Sequence, residues 1–228
     1  MGAQRLGEVL KTWEGRVPET GEGEPEESAR RRILRAKNEA LFGPRFADKT
    51  FENYVVYSGK KQENCVSVCR SYASKLPEVA RKGYTLTLVG NPGTGKNHLA
   101  YAIGRAVLGA DYGLEVVTFL KVMRRIKTAW TTHEEREQEI IDCYSRVPFL
   151  ILEEIGVQYG SETEKIFLFE ILDTRYKLCK PYVLTSNLDQ GEFRKYLDFD
   201  GHARIWDRLY ETGTILYFDW ESYRGRVQ

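Results

Sequence analysis

No apolar run in this 228-residue chain approaches the length of a membrane span, and the first residues, Met1-Gly-Ala-Gln-Arg-Leu-Gly-Glu, lack the apolar core of a secretory signal. A soluble, cytoplasmic protein with no membrane partner is the expectation. Charge of one sign is lacking too: 34 Lys and Arg stand against 33 Asp and Glu, a net charge of +1. Any nucleic-acid contact therefore has to rest on a local basic surface. Four cysteines are too few and too scattered for a disulfide framework. Cys65 and Cys69 are one helical turn apart, but no second Cys/His pair has matching spacing, which argues against zinc. There is no internal repeat and no coiled-coil heptad.

What is present is concentrated in residues 84–99. A β-rich run from Tyr84 to Val89 breaks at Gly90, a glycine-dense loop follows, and an apolar-periodic helix starts near Lys96 with Leu99, Ala102, Ile103 and Ala106 on one face. Strand, loop and helix in this order frame the pattern G-x-x-x-x-G-K at Gly90, Gly95 and Lys96. Glycines let the backbone amides of the loop through Asn91, Pro92, Gly93 and Thr94 crowd around a polyphosphate, and the helix N-terminus adds partial positive charge. Lys96 then reaches the β- and γ-phosphates, with Asn97 and His98 following. Asn97 stands where Ser or Thr ordinarily ligates Mg²⁺, and its amide oxygen can serve the metal or a metal-bound water.

The remaining chain alternates strands and helices, which implies a parallel sheet with helices on both faces. Strands are expected over 114–120, 148–152, 181–185 and 214–218. Helices are expected over 63–78, 121–130, 132–146, 161–178, 191–197 and 203–210. Before them, residues 3–16 read as a short amphipathic helix and 17–27 as an acidic Pro/Gly-rich linker; 29–41 read as a basic helix capped by Ser28. The division expected is a helical N-terminal arm, 1–45, and an ATPase domain, 46–228. About ten residues follow the last strand, too few for a full C-terminal lid.

Two carboxylates, Glu153 and Glu154, end the apolar run Val147-Pro-Phe-Leu-Ile-Leu. That arrangement delivers one acid to a Mg²⁺ shell and a neighbour to orient or deprotonate water. Glu153 takes the metal-side place, where the shorter Asp is usual, so hydrolysis is expected to be slow; Glu154 is the candidate for polarising water. Asn187, ending Thr185-Ser-Asn187, can reach the γ-phosphate or hold the lytic water. Arg208, with Arg204 second, is the candidate for a guanidinium supplied to a neighbouring subunit's site, and Arg224 for a γ-phosphate contact in its own subunit. Surface pairing of these arginines with Asp207 and Glu211 is the alternative.

With these elements aligned the chain resembles the replicative-helicase loaders of the DnaC type, in the AAA+ clade that also holds the IstB transposition ATPases. The resemblance rests on Phe51-Glu-Asn-Tyr54, Gly90-Asn-Pro-Gly-Thr-Gly-Lys-Asn-His-Leu-Ala100, Glu154-Ile-Gly-Val-Gln158, Arg204-Ile-Trp-Asp-Arg208 and Asp219-Trp-Glu-Ser-Tyr-Arg224. It implies an ATP- and Mg²⁺-dependent protein that binds a hexameric DnaB-type helicase through its N-terminal region, self-associates on it and helps place it on single-stranded DNA. A phage or mobile-element origin fits a divergent member. Asn97 is the family's own variant, and Glu153 departs from the pattern. The helix after the second strand offers Arg124, Lys127 and Trp130 for single-stranded DNA, or Trp130 packs in the core; Ser161 lies in a second contact loop. The alternatives are a transposition ATPase, and a helicase-binding module that holds ATP without hydrolysing it.

Overall fold

The computed structural model describes residues 36–156, 161–198 and 204–225. The chain divides into two units, Met1–Asp48 and Lys49–Gln228. In the first, residues 36–42 are helical and end at Gly43 (φ +78°), whose carbonyl accepts from Phe46 and Ala47 N–H. The expected helix 3–16, the linker and most of the basic helix lie outside the described residues.

The second unit is built on five parallel strands: β1 (Thr85–Gly90), β2 (Leu114–Thr118), β3 (Phe149–Ile155), β4 (Tyr182–Ser186) and β5 (Gly213–Phe218). Their order across the sheet is β2-β3-β4-β1-β5, every neighbouring pair parallel. Strands buried on both faces read as continuous apolar runs rather than alternating ones; β3 does through Leu152, whereas β1, equally buried, alternates Thr85 and Thr87 with Leu86 and Leu88. Alternate residues feed two separate cores. Leu86, Leu88, Ile151, Val183 and Phe218 join one face with α1 (Lys60–Ser74), α2 (Leu76–Lys82) and α3 (Lys96–Gly109). Val89, Leu150, Leu152, Tyr182 and Leu184 join the other with α4 (Phe119–Thr132), α5 (Glu137–Arg146), α6 (Glu162–Lys177), α7 (Gln190–Leu197) and α8 (Arg204–Thr212).

Several boundaries differ from the sequence expectation for identifiable reasons. The single helix expected over 63–78 is two, broken at Lys75, because Pro77 opens α2 as a first-turn residue. Strand β2 stops at Thr118, whose hydroxyl accepts from Lys121 N–H and caps α4, so the helix begins at Phe119. Helix α5 starts at Glu137 and not at residue 132. Strand β3 continues through Glu153 and Glu154 to Ile155, so the two acids belong to the strand rather than following it. An irregularity between Leu152 and Ile155 in its pairing with β4 makes this possible.

Register sets the site. Val89 pairs Ser186, Gly90 pairs Phe218, Thr118 pairs Glu153 and Ile155 pairs Ser186. The C-terminal ends of all five strands thus form one edge, the side of an open parallel sheet where ligands bind.

Candidate nucleotide site

At that edge β1 gives way to a loop that returns as α3. Gly95, the residue before α3, has φ +97°, and no side chain caps the helix, which leaves first-turn amides available to an anion. Lys96 is buried, and its Nζ donates to Gly90 O and Asn91 O, both at 2.6 Å. Burial, with Arg224 nearby, lowers its pKa to about 8. Thr94 is buried and closes the loop through Oγ1 to Asn91 O at 2.7 Å.

Two segments hold this loop. From the C-terminal side, Phe218 O accepts from Asn91 N–H at 2.8 Å, and Asn91 Nδ2 donates to Asp219 O and Trp220 O. Trp220 Nε1 donates to Thr94 O at 3.2 Å, and Tyr223 N–H to Gly93 O at 2.9 Å. A Cβ on Gly93 would come 2.0 Å from Ser222 Oγ. From the N-terminal side, the Tyr54 hydroxyl donates to Thr94 O at 3.1 Å while its ring stands edge-on to His98. His98 Nε2 meets Thr50 O at 2.7 Å, and burial lowers its pKa. Fully buried Gln62 organises the segment that carries Tyr54: its Oε1 accepts from Tyr57 and Ser58 N–H, and its Nε2 donates to Tyr54 Oη and Val55 O. His98, expected to touch nucleotide, thus faces this supporting segment.

The acids lie one strand pair away. Glu153 is buried, and its Oε1 has no hydrogen-bond partner among the described residues. Burial raises its pKa. Glu154 is half-buried at φ +58°, a left-handed conformation that costs a non-glycine residue about 1–3 kcal/mol and recurs at active sites. Its N–H donates to Thr185 Oγ1 at 3.3 Å, and Ser186 Oγ donates to Ile155 O at 2.6 Å, so β4 fixes the irregular end of β3. Asn187 follows directly and is exposed. Asn97 and Glu153 fit Mg²⁺: oxygen donors suit a hard cation, and a buried carboxylate oxygen without a partner is otherwise costly. Bound there with nucleotide, the ion would neutralise phosphate charge.

The remaining expected residues are distributed differently. Arg224 is exposed in the short 3₁₀ turn Tyr223–Gly225, close enough to Lys96 to lower its pKa. Arg208, on α8, is half-buried, ion-paired with Asp173 of α6 and stacked over Tyr176 and Phe169. Arg204 is exposed at the start of α8. Arg124 and Lys127 are exposed on α4, and Trp130 is 45% exposed near its end, with Nε1 donating to Glu137 Oε2 at 2.6 Å. Trp130 is therefore at the surface and not in the core. Ser161 caps α6, its Oγ accepting from Glu164 N–H. Tyr54, Gln62 and Trp220 are site-building residues that motif reading does not single out. Tyr54 and Trp220 sit inside stretches that carry the family resemblance, whereas Gln62 leaves no signal in the sequence.

A parallel sheet of this order, with a phosphate loop, paired acids and Asn187 gathered at one edge, defines an AAA+-type P-loop nucleotide-binding protein. The model of the family described as IstB-like ATP binding protein matches residues 27–228. The replicative helicase loader DnaC of Escherichia coli (strain K12) is 30% identical over 229 aligned residues, 99% of this chain and 89% of that protein. Among solved structures, that of a DnaC helicase loader superposes with a TM-score of 0.65 at 20% identity, covering 77% of this chain and 99% of that one. AMPPCP-bound DnaA from Aquifex aeolicus superposes at 0.60 with 22% identity, over 78% and 51% respectively. The chain belongs to the IstB-like ATP-binding family and, within it, to the DnaC-type helicase loaders. Among the described residues no helix is long and apolar enough to cross a membrane.

Proposed function

We propose that this chain is an ATPase that binds a hexameric DnaB-type replicative helicase and loads it onto single-stranded DNA. The observation that carries this reading is the span of its likeness to a helicase loader, 99% of the chain, which takes in the N-terminal arm as well as the nucleotide site. Residues 1–45 dock on the helicase and 46–228 form the ATPase domain. The amides of the 91–95 loop with Lys96 hold the phosphates, Asn97 and Glu153 the Mg²⁺, and Arg224 the γ-phosphate. Glu154 and Asn187 position and polarise the attacking water. Arg208, steadied by Asp173, serves the site of the adjacent copy, so turnover rises on assembly. Arg124, Lys127 and Trp130 face the DNA strand, with Ser161 at a second contact.

The test is size-exclusion chromatography with light scattering on this protein and its host's replicative helicase, with and without ATP and Mg²⁺. A complex of one helicase hexamer with several copies of this chain is expected. Absence of a complex in both conditions overturns the loader reading and favours the transposition ATPase, tested next with transposase and duplex DNA. The presence of Glu153 where Asp is usual supports a second reading, a helicase-binding module that holds ATP without turning it over. Phosphate release equal to that of Lys96→Ala would establish it.

A further inference from the structure

Beyond Phe218 the chain leaves the sheet, so among the described residues no strand neighbour holds the short turn Tyr223–Gly225 that carries Arg224. One side of this stretch is fixed to the phosphate loop. Tyr223 N–H donates to Gly93 O, and Ser222, whose Oγ accepts from Arg224 N–H, packs against Gly93. The other side is fixed to the segment that enters the domain. The Tyr57 hydroxyl donates to Glu221 O at 2.7 Å, and the rings of Tyr57 and Tyr223 lie 5.3 Å apart, tilted by 41°. Lys61 is ion-paired with Asp219. Tyr57 is itself set in place by buried Gln62, whose Oε1 accepts from its N–H at 2.8 Å.

We infer that Tyr57 is a positioning residue for Arg224, holding the turn that carries it beside the phosphate loop and so setting the preference for a nucleoside triphosphate over a diphosphate. The loop amides meet phosphates that ATP and ADP share, whereas the γ-phosphate assigned to Arg224 is present in ATP alone. Arg224 lies near Lys96, whose pKa burial and that guanidinium together lower. Its side chain is exposed and has several rotatable bonds, so where it reaches depends on where its backbone is held. Held from the loop side alone, the turn would be free to pivot about the Tyr223–Gly93 bond. The bond to Glu221 O and the ring contact with Tyr223 supply a second fixed point. That point is anchored on the domain, because Tyr57 also packs against the apolar core on the α1 and α3 face of the sheet.

The inference rests on the nucleotide-binding reading and on its assignment of Arg224 to the γ-phosphate, and the test separates them. ATP and ADP analogues carrying the same fluorophore are titrated into the full chain in Mg²⁺. The proteins compared are the unsubstituted chain, Tyr57→Phe, Arg224→Ala and the double variant, with thermal melts to confirm folding. Unsubstituted protein should bind the ATP analogue more tightly than the ADP analogue, and Arg224→Ala should lose most of that preference. Tyr57→Phe should lose about fivefold of it, as expected for one neutral hydrogen bond, with affinity for the ADP analogue within about twofold. A residue that only supported the fold would weaken both analogues alike. In the Arg224→Ala background the same substitution should cost less than about twofold, because the group it positions is gone. Tyr57→Leu, which lacks both hydroxyl and ring, gives the same reading if the Phe variant fails to fold. An unchanged preference, an equal loss for both analogues, or an undiminished cost in the Arg224→Ala background overturns the inference while leaving nucleotide binding intact. No preference in the unsubstituted protein, or one that Arg224→Ala leaves unchanged, overturns the assignment of Arg224 and this inference with it. No binding of either analogue by the unsubstituted protein overturns the nucleotide reading itself.

Discussion

Tyr54 and Gly95 are packed against each other so closely that a Cβ on Gly95 would lie 2.6 Å from Tyr54 Cε2 and 2.7 Å from its hydroxyl oxygen. The phosphate loop is therefore shaped by a residue far upstream as well as by its own glycines. The loop's φ of +97° at Gly95 adds strain for any other residue. Gly95→Ala should abolish nucleotide binding, measured by titration with a fluorescent ATP analogue. Tyr54→Phe should act more mildly. It removes the acceptor of Gln62 Nε2 and one donor to Thr94 O, but Trp220 Nε1 still donates to that carbonyl. A stability loss of about 1 kcal/mol, read from a denaturant midpoint, is expected.

Lys96 donates to two loop carbonyls, so a phosphate competes with Gly90 O and Asn91 O for its ammonium group. Ionised partners make the stronger hydrogen bonds, and phosphate wins that competition. Lys96→Ala should weaken ATP binding by about 10- to 100-fold, the equivalent of a charged hydrogen bond. Unchanged affinity by equilibrium titration would remove the assigned phosphate role.

Glu154 is held in its left-handed conformation by the bond from its N–H to Thr185 Oγ1. Glu154→Gln keeps the side chain's shape and the backbone bond but cannot accept a proton at neutral pH. Phosphate release should fall by about 10²- to 10⁴-fold while ATP affinity stays within a few-fold. A loss of affinity matching the loss of turnover would assign Glu154 to binding instead.

Much of this arrangement was legible in the sequence because the signals were local. The Gly90–Lys96 loop, the β-rich run of β1, the apolar run of β3 and the helical periodicity around Leu99 and Ile103 each announce themselves within a few residues. What stayed hidden depends on distant partners. That β3 runs on through Glu153 and Glu154 follows from its irregular pairing with β4, which no pattern in 149–155 displays. The run Val-Val-Thr-Phe-Leu continues as a strand on apolar grounds, yet Thr118 ends it by capping α4. Trp130 is ambiguous between stacking surface and core by composition alone, and only its place near the end of α4 decides for the surface.

Arg175 is the plainest case of a residue invisible to motif reading. It is fully buried on α6. Its Nη1 donates to Tyr144 O at 2.8 Å, Val147 O at 3.0 Å and Ser145 O at 3.3 Å, and its Nη2 to Pro181 O at 2.6 Å. One guanidinium thus satisfies the last carbonyls of α5 and joins the leads into β3 and β4. Arg175→Met fills similar volume but strands those acceptors, each worth about 1–3 kcal/mol when buried without a partner. A destabilisation of at least about 3 kcal/mol is expected by chemical denaturation, with Arg175→Lys recovering only part because an ammonium lacks the planar fork.

Trp130 offers a sharper separation between stability and function. Its ring is 6.2 Å from that of Phe167 and its Nε1 is tied to Glu137, so it holds one orientation although nearly half exposed. A ring fixed at the surface of the helix that also exposes Arg124 and Lys127 is suited to stack on a base, an interaction worth about 1–3 kcal/mol. Trp130→Ala should therefore weaken single-stranded DNA binding by about 5- to 100-fold at fixed salt, while the denaturant midpoint moves little because the Phe167 contact is peripheral. Arg124→Ala, removing a charge rather than a stacking face, should instead reduce the salt dependence of binding. Fluorescence anisotropy with a labelled oligonucleotide, repeated across salt concentrations, distinguishes the two. If Trp130→Ala unfolds the domain and leaves DNA affinity alone, the residue is a packing element and not a DNA contact.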